Sequence, residues 1–364
     1  MSRAWFLVLL LLPIVLLSLP TVRSEAVQYN IVGTTVNVSV ANVKFKVLGT
    51  GAIVNLTIND ELFLIYSTYI CLKPANLYGY SYSRFEEIET PKVESFENGI
   101  VIKTRAKLED PKVYICGTFI VYNTGVIVVN ITYVAWSKTV VEKWLAIYNV
   151  YPCPAFDRLK CLAIMQDGTL TELPHNSSLR KWGKGWVCLA MPSPRIPDTY
   201  LVTITLQPHQ YETTEIRSYG PTPPWYEGKI FRHLIRSIRS WSAKGTGDSM
   251  SWLYILYPHS EGEEFSKELL EIGWELEGII KRFNQVKQHV RFTKHVISNV
   301  EKLITECFNT LAMGDIRKAE SIVDSISSGI VRAYRIELGT TYFLIMGVPA
   351  AIIAFLLIKY TRKW

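Results

Sequence analysis

The chain has 364 residues, 49% of them hydrophobic and 20% charged, which leaves room for two ordinary domains and argues against wholesale disorder. Its formal charge of +7 comes from 39 basic and 32 acidic residues. Arg3, Arg23, Lys359, Arg362 and Lys363 lie at the two ends, so the stretch between holds 34 basic against 32 acidic residues. That near balance removes the electrostatic basis for a nucleic-acid partner.

The first segment, "MSRAWFLVLLLLPIVLLSLPTVRSEA", has a basic start, an apolar run through Leu19, and small residues at Val22 and Ser24. It predicts a signal peptide over residues 1–24, the apolar run being short for a span and ending in Pro20. Residues 25–259 read as an extracellular β region. Val36, Val38 and Val40 alternate with Asn37 and Ser39, and Val54, Leu56 and Ile58 with Asn55 and Thr57. Farther on, "KVYICGTFIVYNTGVIVVNITYVAW" predicts two strands around an Asn123-Thr124-Gly125 turn. The alternation fits one large sandwich or two smaller ones.

Four glycosylation sequons begin at Asn37, Asn55, Asn130 and Asn176. The first three fall on the more polar alternate of their strands, so glycans there are expected to point away from the core. Asn176 sits in the turn-like "ELPHNSSLRK". In "NLYGYSYSRF", Tyr78, Tyr80 and Tyr82 alternate and place three phenols on one face. The following "RFEEIETPKVESFE" offers Glu87 and Glu94 as a carboxylate pair for glycoside hydrolysis, although a charged loop is the plainer reading.

Cys71, Cys116, Cys153, Cys161 and Cys188 are candidates for disulfides in an oxidising exterior, with Cys153, Cys161 and Cys188 the expected neighbourhood. With Cys307 they allow 15 pairings, which sequence does not resolve. No CxxC spacing is present, so no metal site is expected. In "LRKWGKGW", Trp182, Lys184 and Trp186 combine flat aromatic faces with a donor, a combination suited to stacking on sugar rings. Trp186, which precedes the apolar "VCLAM", reads better as a core plug, which leaves Trp182 as the exposed partner. "YGPTPPWYEG" is the clearest punctuation, either a boundary or a long loop. In "KIFRHLIRSIRSW", Arg232, Arg236 and Arg239 read as a solvated face.

From Ser260 the period changes. Ser260 and Glu263 form a potential capping box, and then a heptad pattern sets in. One core series is Leu269, Leu276, Phe283, Val290, Ile297, Ile304 and Leu311. The other is Phe265, Ile272, Ile279, Val286, Thr293, Val300 and Cys307, in which only Thr293 is plainly polar. A strict seven-residue repeat over this length predicts a coiled coil. Residues 260–338 are thus expected to be a helical stalk that oligomerises, with a break near 313–315 where Gly314 ends one helix and Asp315 caps the next. It is either a straight rod or a bundle folded back near Gly273–Gly278. Gly339–Ile358 has no charge and would make a helix of about 30 Å, the thickness of a bilayer core, so it predicts a transmembrane helix. The basic tail 359–364 would then be cytoplasmic.

No HExxH, Walker, GxSxG or dinucleotide motif is present, so no catalytic residue and no cofactor are assigned. The order of parts resembles the stalk or anchor subunits of archaeal surface layers, a likeness of layout with no matched motif. "KVLGTGAIVNLTINDELFLI" and "GKGWVCLAMPSP" are faintly similar to the β-supersandwich of mutarotase-like and polysaccharide-lyase proteins, which implies carbohydrate contact. The expected fold is therefore a mainly β ectodomain, a sandwich or supersandwich, followed by a long coiled coil or bundle and one transmembrane helix. The expected role is that of a single-pass cell-surface glycoprotein anchored at the envelope, facing a surface-layer protein or a glycan. The alternatives are a carbohydrate-binding or sensing ectodomain and a membrane-tethered carbohydrate-active enzyme.

Overall fold

The structure, a computed structural model, describes residues 26–72, 77–79, 81–141, 144–153, 159–174, 186–206, 215–218, 229–238, 241–289, 293–344 and 348–350. The chain begins as an antiparallel meander: β1 (Gln28–Val32), β2 (Thr35–Val40), β3 (Val43–Leu48), β4 (Ile53–Ile58), β5 (Glu61–Leu72) and β6 (Leu77–Tyr78). It then crosses to a second sheet with β7 (Glu87–Ile88), β8 (Lys92–Phe96), β9 (Gly99–Leu108), β10 (Val113–Tyr122) and β11 (Ile127–Ala135). After β12 (Thr139–Val141), β13 (Trp144–Cys153) returns to the first sheet beside β5. β14 (Lys160–Met165), β15 (Leu170–Pro174), β16 (Trp186–Pro192) and β17 (Tyr200–Thr205) rejoin the second. β18 (Glu215–Ser218) and β19 (Lys229–Ile238) complete the first sheet. β20 (Trp241–Ala243) pairs with β12, and β21 (Ser249–His259) enters the second sheet between β17 and β11.

The first sheet runs β1-β2-β3-β4-β5-β13-β19-β18 and the second β15-β14-β16-β17-β21-β11-β10-β9-β7. Because the chain passes between sheets several times, the β region builds one sandwich. The alternation seen in the sequence is its physical basis. In β2, Val36, Val38 and Val40 are buried while Thr35, Asn37 and Ser39 stay partly open. Between the sheets, Phe45, Phe63, Tyr69, Phe119, Tyr133 and Trp252 form the core. Tyr133 meets the edges of Trp252 at 5.2 Å and Tyr69 at 5.7 Å, the arrangement that ring quadrupoles favour.

A helical layer covers the outer face of the second sheet. It consists of α1 (Gly262–His289), α2 (Lys294–Ala312) and α3 (Ile316–Tyr342). Helix α1 lies on β14, β16 and β17 and against α3, and α2 forms an antiparallel hairpin with α3. At the α2–α3 turn Gly314 takes φ +82°, and the Asp315 side chain accepts from the Lys318 N–H at 3.1 Å. Asp315→Ala is expected to cost about 1 kcal/mol in denaturant titration, the usual loss for an N-cap.

This packing corrects the coiled-coil and stalk expectation. The heptad residues are buried within one chain: Leu269, Ile272, Leu276, Ile279 and Phe283 from α1, and Ile297, Val300, Cys307 and Leu311 from α2. Leu270 and Ile280 on α1, outside both heptad series, are buried too. A helix wedged between a sheet and another helix needs this wider stripe, whereas a two-helix seam does not. The helix also breaks at Thr293, the polar position in the repeat. Its carbonyl accepts from the N–H groups of Val296 and Ile297, and its hydroxyl bonds Glu337 at 3.4 Å. The break does not fall at Gly273–Gly278. The capping box is not formed either, since the Ser260 hydroxyl bonds Thr199 at 3.0 Å.

Among the described residues no helix is long and apolar enough to cross a membrane. Arg332, Arg335 and Glu337 punctuate the second half of α3, whose last buried residue is Ala333. The fold class with a transmembrane helix, and the single-pass location with a cytoplasmic end, are corrected accordingly. Of the expected span, 345–347 and 351–358 lie outside the described residues, as do the segment 1–24 and the tail 359–364.

Candidate functional site

The outer face of the first sheet carries a shallow groove of 570 Å³ over β1–β4. Strand pairing lays its polar residues in two cross-strand rows. One row runs Asn30, Asn37 and Lys46, and ends at the β4 bulge by Val54 and Asn55. The other runs Gln28, Ser39, Lys44 and Thr57. Neighbouring strands stand about 4.8 Å apart and same-face residues about 7 Å apart along a strand. The rows therefore form a lattice of donors and acceptors. Tyr29, 44% exposed on the edge strand, alternates with Gln28 and Asn30 and pairs with the buried Val38, so it lies off the face that carries the rows.

The electrostatics of the groove are simple. Lys44 is held by Asp60 at 2.6 Å, and Asn42 donates to Asn59 just beside it at 2.9 Å. Lys46 has no ion-pair partner among the described residues. The amides of Gln28, Asn30, Asn37 and Asn55 likewise make no side-chain hydrogen bond among them. Asn55 takes φ +54°, a left-handed conformation that asparagine tolerates and that fits the register shift in β4.

The residues singled out from the sequence are dispersed. Tyr80, Trp182, Lys184 and Asn176 lie outside the described residues, as does the side chain of Tyr78. Tyr82 is exposed, with its hydroxyl 3.1 Å from that of Thr35. Trp186 is 2% exposed and belongs to the core between the sheets. Asn130 is half-buried in β11, opposite Thr118 and Leu253. Asn37 and Asn55, noticed as sequons, both line the groove.

Cys116, Cys161 and Cys307 carry free thiols. Burial pushes those of Cys161 and Cys307 up to about 12, which leaves them inert near neutral pH. Cys161 faces the sandwich interior and Cys188 the helical layer, so the sheet separates them. The side chains of Cys71 and Cys153 lie outside the described residues.

Two arrangements that resemble catalytic sets fail on geometry. Glu87 pairs with Lys107 of β9 and Glu94 with Val101, six residues apart along that strand, or about 20 Å. Glycoside hydrolysis needs its carboxyls within about 10 Å, and Glu94 is engaged by Lys103 at 2.9 Å. His259 and Ser266 form a Ser–His contact of 3.0 Å, but Ser266 is 0% exposed. The Glu261 N–H points at His259 Nδ1 at 3.2 Å, so the ring's proton sits on Nε2 and is donated to Ser266, the reverse of a nucleophile–base pair. Among the described residues no cluster of three or more His, Cys, Asp or Glu is placed to hold a metal.

No protein-family model and no curated protein matches the chain. Among solved structures it is similar to the Slr1438 protein from Synechocystis sp. PCC 6803, with 8% identity and a TM-score of 0.42 over 64% of this chain and 100% of that one. A galactose mutarotase related enzyme from Lactobacillus acidophilus matches with 10% identity and a TM-score of 0.38, over 62% and 98% of the two chains. An alpha-galactosidase from Lactobacillus brevis matches with 7% identity and a TM-score of 0.38, over 70% and 42%. These neighbours include carbohydrate-related β-sandwich domains and agree with the weaker of the two resemblances. The surface-layer resemblance gains no support from them. With every TM-score here below 0.5, none assigns an activity to this chain.

Proposed function

We propose that the protein binds carbohydrate in the groove over β1–β4. The observation that carries this reading is the set of four unengaged amides, from Gln28, Asn30, Asn37 and Asn55, laid out with Ser39 and Thr57. A saccharide offers many hydroxyls, each both donor and acceptor. A lattice of amides and hydroxyls meets that need, and a rigid sheet holds it without ordering cost. The groove is open, so the fit is to a chain lying across the strands.

The test is titration calorimetry against a panel of neutral and acidic oligosaccharides. Asn37→Ala is expected to weaken binding about two- to tenfold, the worth of one net hydrogen bond. Asn42→Ala, whose amide is already taken by Asn59, is the control. A glycan carried on Asn37 or Asn55 would fill the same groove, so mass spectrometry must first show both side chains bare. Absence of binding to every saccharide in the panel would overturn the reading.

A further inference from the structure

We infer that the saccharide taken by this groove is anionic, and that Lys46 receives its carboxylate or sulfate. The inference rests on the carbohydrate reading above and narrows its substrate class. The groove contains three charged side chains, Lys44, Lys46 and Asp60. Asp60 neutralises Lys44 at 2.6 Å, which leaves one positive charge and no unpaired carboxylate. That charge is central. Lys46 lies on β3, with Asn37 opposite it on β2 and the Val54–Asn55 bulge opposite it on β4.

An anion above Lys46 therefore meets an ammonium in the middle and amide N–H donors from the strands on both sides. A neutral sugar would use the amides and leave the ammonium facing water, and a cationic sugar would be repelled. Lysine is a compact point charge with no fork geometry. The contact is accordingly to one oxygen and does not by itself distinguish a uronate from a sulfate ester.

The test compares a galacturonate trisaccharide, a sulfated trisaccharide and a neutral trisaccharide on the full chain, with inorganic sulfate alone as a fourth probe. At about 0.01 M salt the acidic sugars are expected to bind about three- to fivefold tighter than the neutral one, the scale of one exposed ion pair, and the gap should close at about 1 M. Lys46→Met should bring the acidic and neutral affinities together, and Lys46→Arg should keep them apart. The exposed position makes both variants safe for folding. A difference between the uronate and the sulfated sugar names which group the site prefers and supports the inference either way. Equal affinity for acidic and neutral sugars at low salt, an advantage that survives Lys46→Met, or equal binding of sulfate alone would each overturn it. Binding of none of the sugars would instead overturn the carbohydrate reading itself.

Discussion

Gly273→Leu is expected to destabilise the protein by about 3 kcal/mol, the upper end for overpacking, whereas Gly278→Ala, five residues farther along α1, should stabilise it by about 1 kcal/mol. A Cβ on Gly273 would stand 2.6 Å from Cys188 Sγ and 2.9 Å from Ile204 Cγ2, both buried in the second sheet. Both are side-chain atoms of fully buried residues, so there is little room for either to turn aside. The helix axis would have to lift, loosening Leu269, Leu270 and Leu276, which share the same contact. A Cβ on Gly278 would meet nothing within 4 Å, so alanine there gains helix propensity at no packing cost. Urea titration of the two variants reads both signs. Unchanged stability in Gly273→Leu would mean that α1 does not seat on β16 and β17 as described. A pairing with Cys188→Ala should return part of the loss in Gly273→Ala, because it removes the first atom met.

The same two glycines show what could be read from the sequence. As residues of low helix propensity they marked a plausible break, yet the helix runs through both to His289. Propensity is a weak local term, and the apolar contact that Gly273 permits outweighs it. The heptads misled for a related reason. Leu269, Leu276 and Phe283 recur identically whether their partner is a second chain or a sheet, and the difference lies in flanking residues such as Leu270 and Ile280. The β region was far more legible, because alternation such as that of Val36, Val38 and Val40 has one physical cause, a face turned to the core.

The groove was only half legible. Asn37 and Asn55 stood out as sequons, while no motif in the sequence marks Asn30 or Lys46. What joins them is cross-strand register. Asn30 opposes Asn37 and Asn37 opposes Lys46 only after β1, β2 and β3 have paired. Sequence spacing does not contain that adjacency. The Ser266–His259 contact was invisible for the same reason, and its meaning is structural: it ties the end of β21 to the first turn of α1.

Acidification from pH 7 to pH 4 is expected to remove about 3 kcal/mol of stability through His259 alone. The ring is 6% exposed, stacked on Tyr200 at 5.6 Å and edge-on to Phe265 at 4.8 Å. Burial lowers its pKa to about 4. In the unfolded chain the same ring titrates near about 6.5. Between those values the unfolded state binds a proton that the folded state refuses, so stability is complete above the unfolded value and falls as the pH drops toward the folded one. The geometry gives the reason. Protonation would place a hydrogen on Nδ1, where the Glu261 N–H already points. Glu261 opposes this trend, since burial raises its carboxyl and the folded state then takes up a proton within the same interval. Urea titrations of the parent at several pH values across this interval should show the decline. His259→Gln keeps a donor toward Ser266 and loses the acceptor for the Glu261 N–H, so it should start about 1–3 kcal/mol less stable at neutral pH and show a much flatter pH profile. An equally steep decline in that variant would move the acid sensitivity to other groups and leave the junction of β21 and α1 without a titrating element.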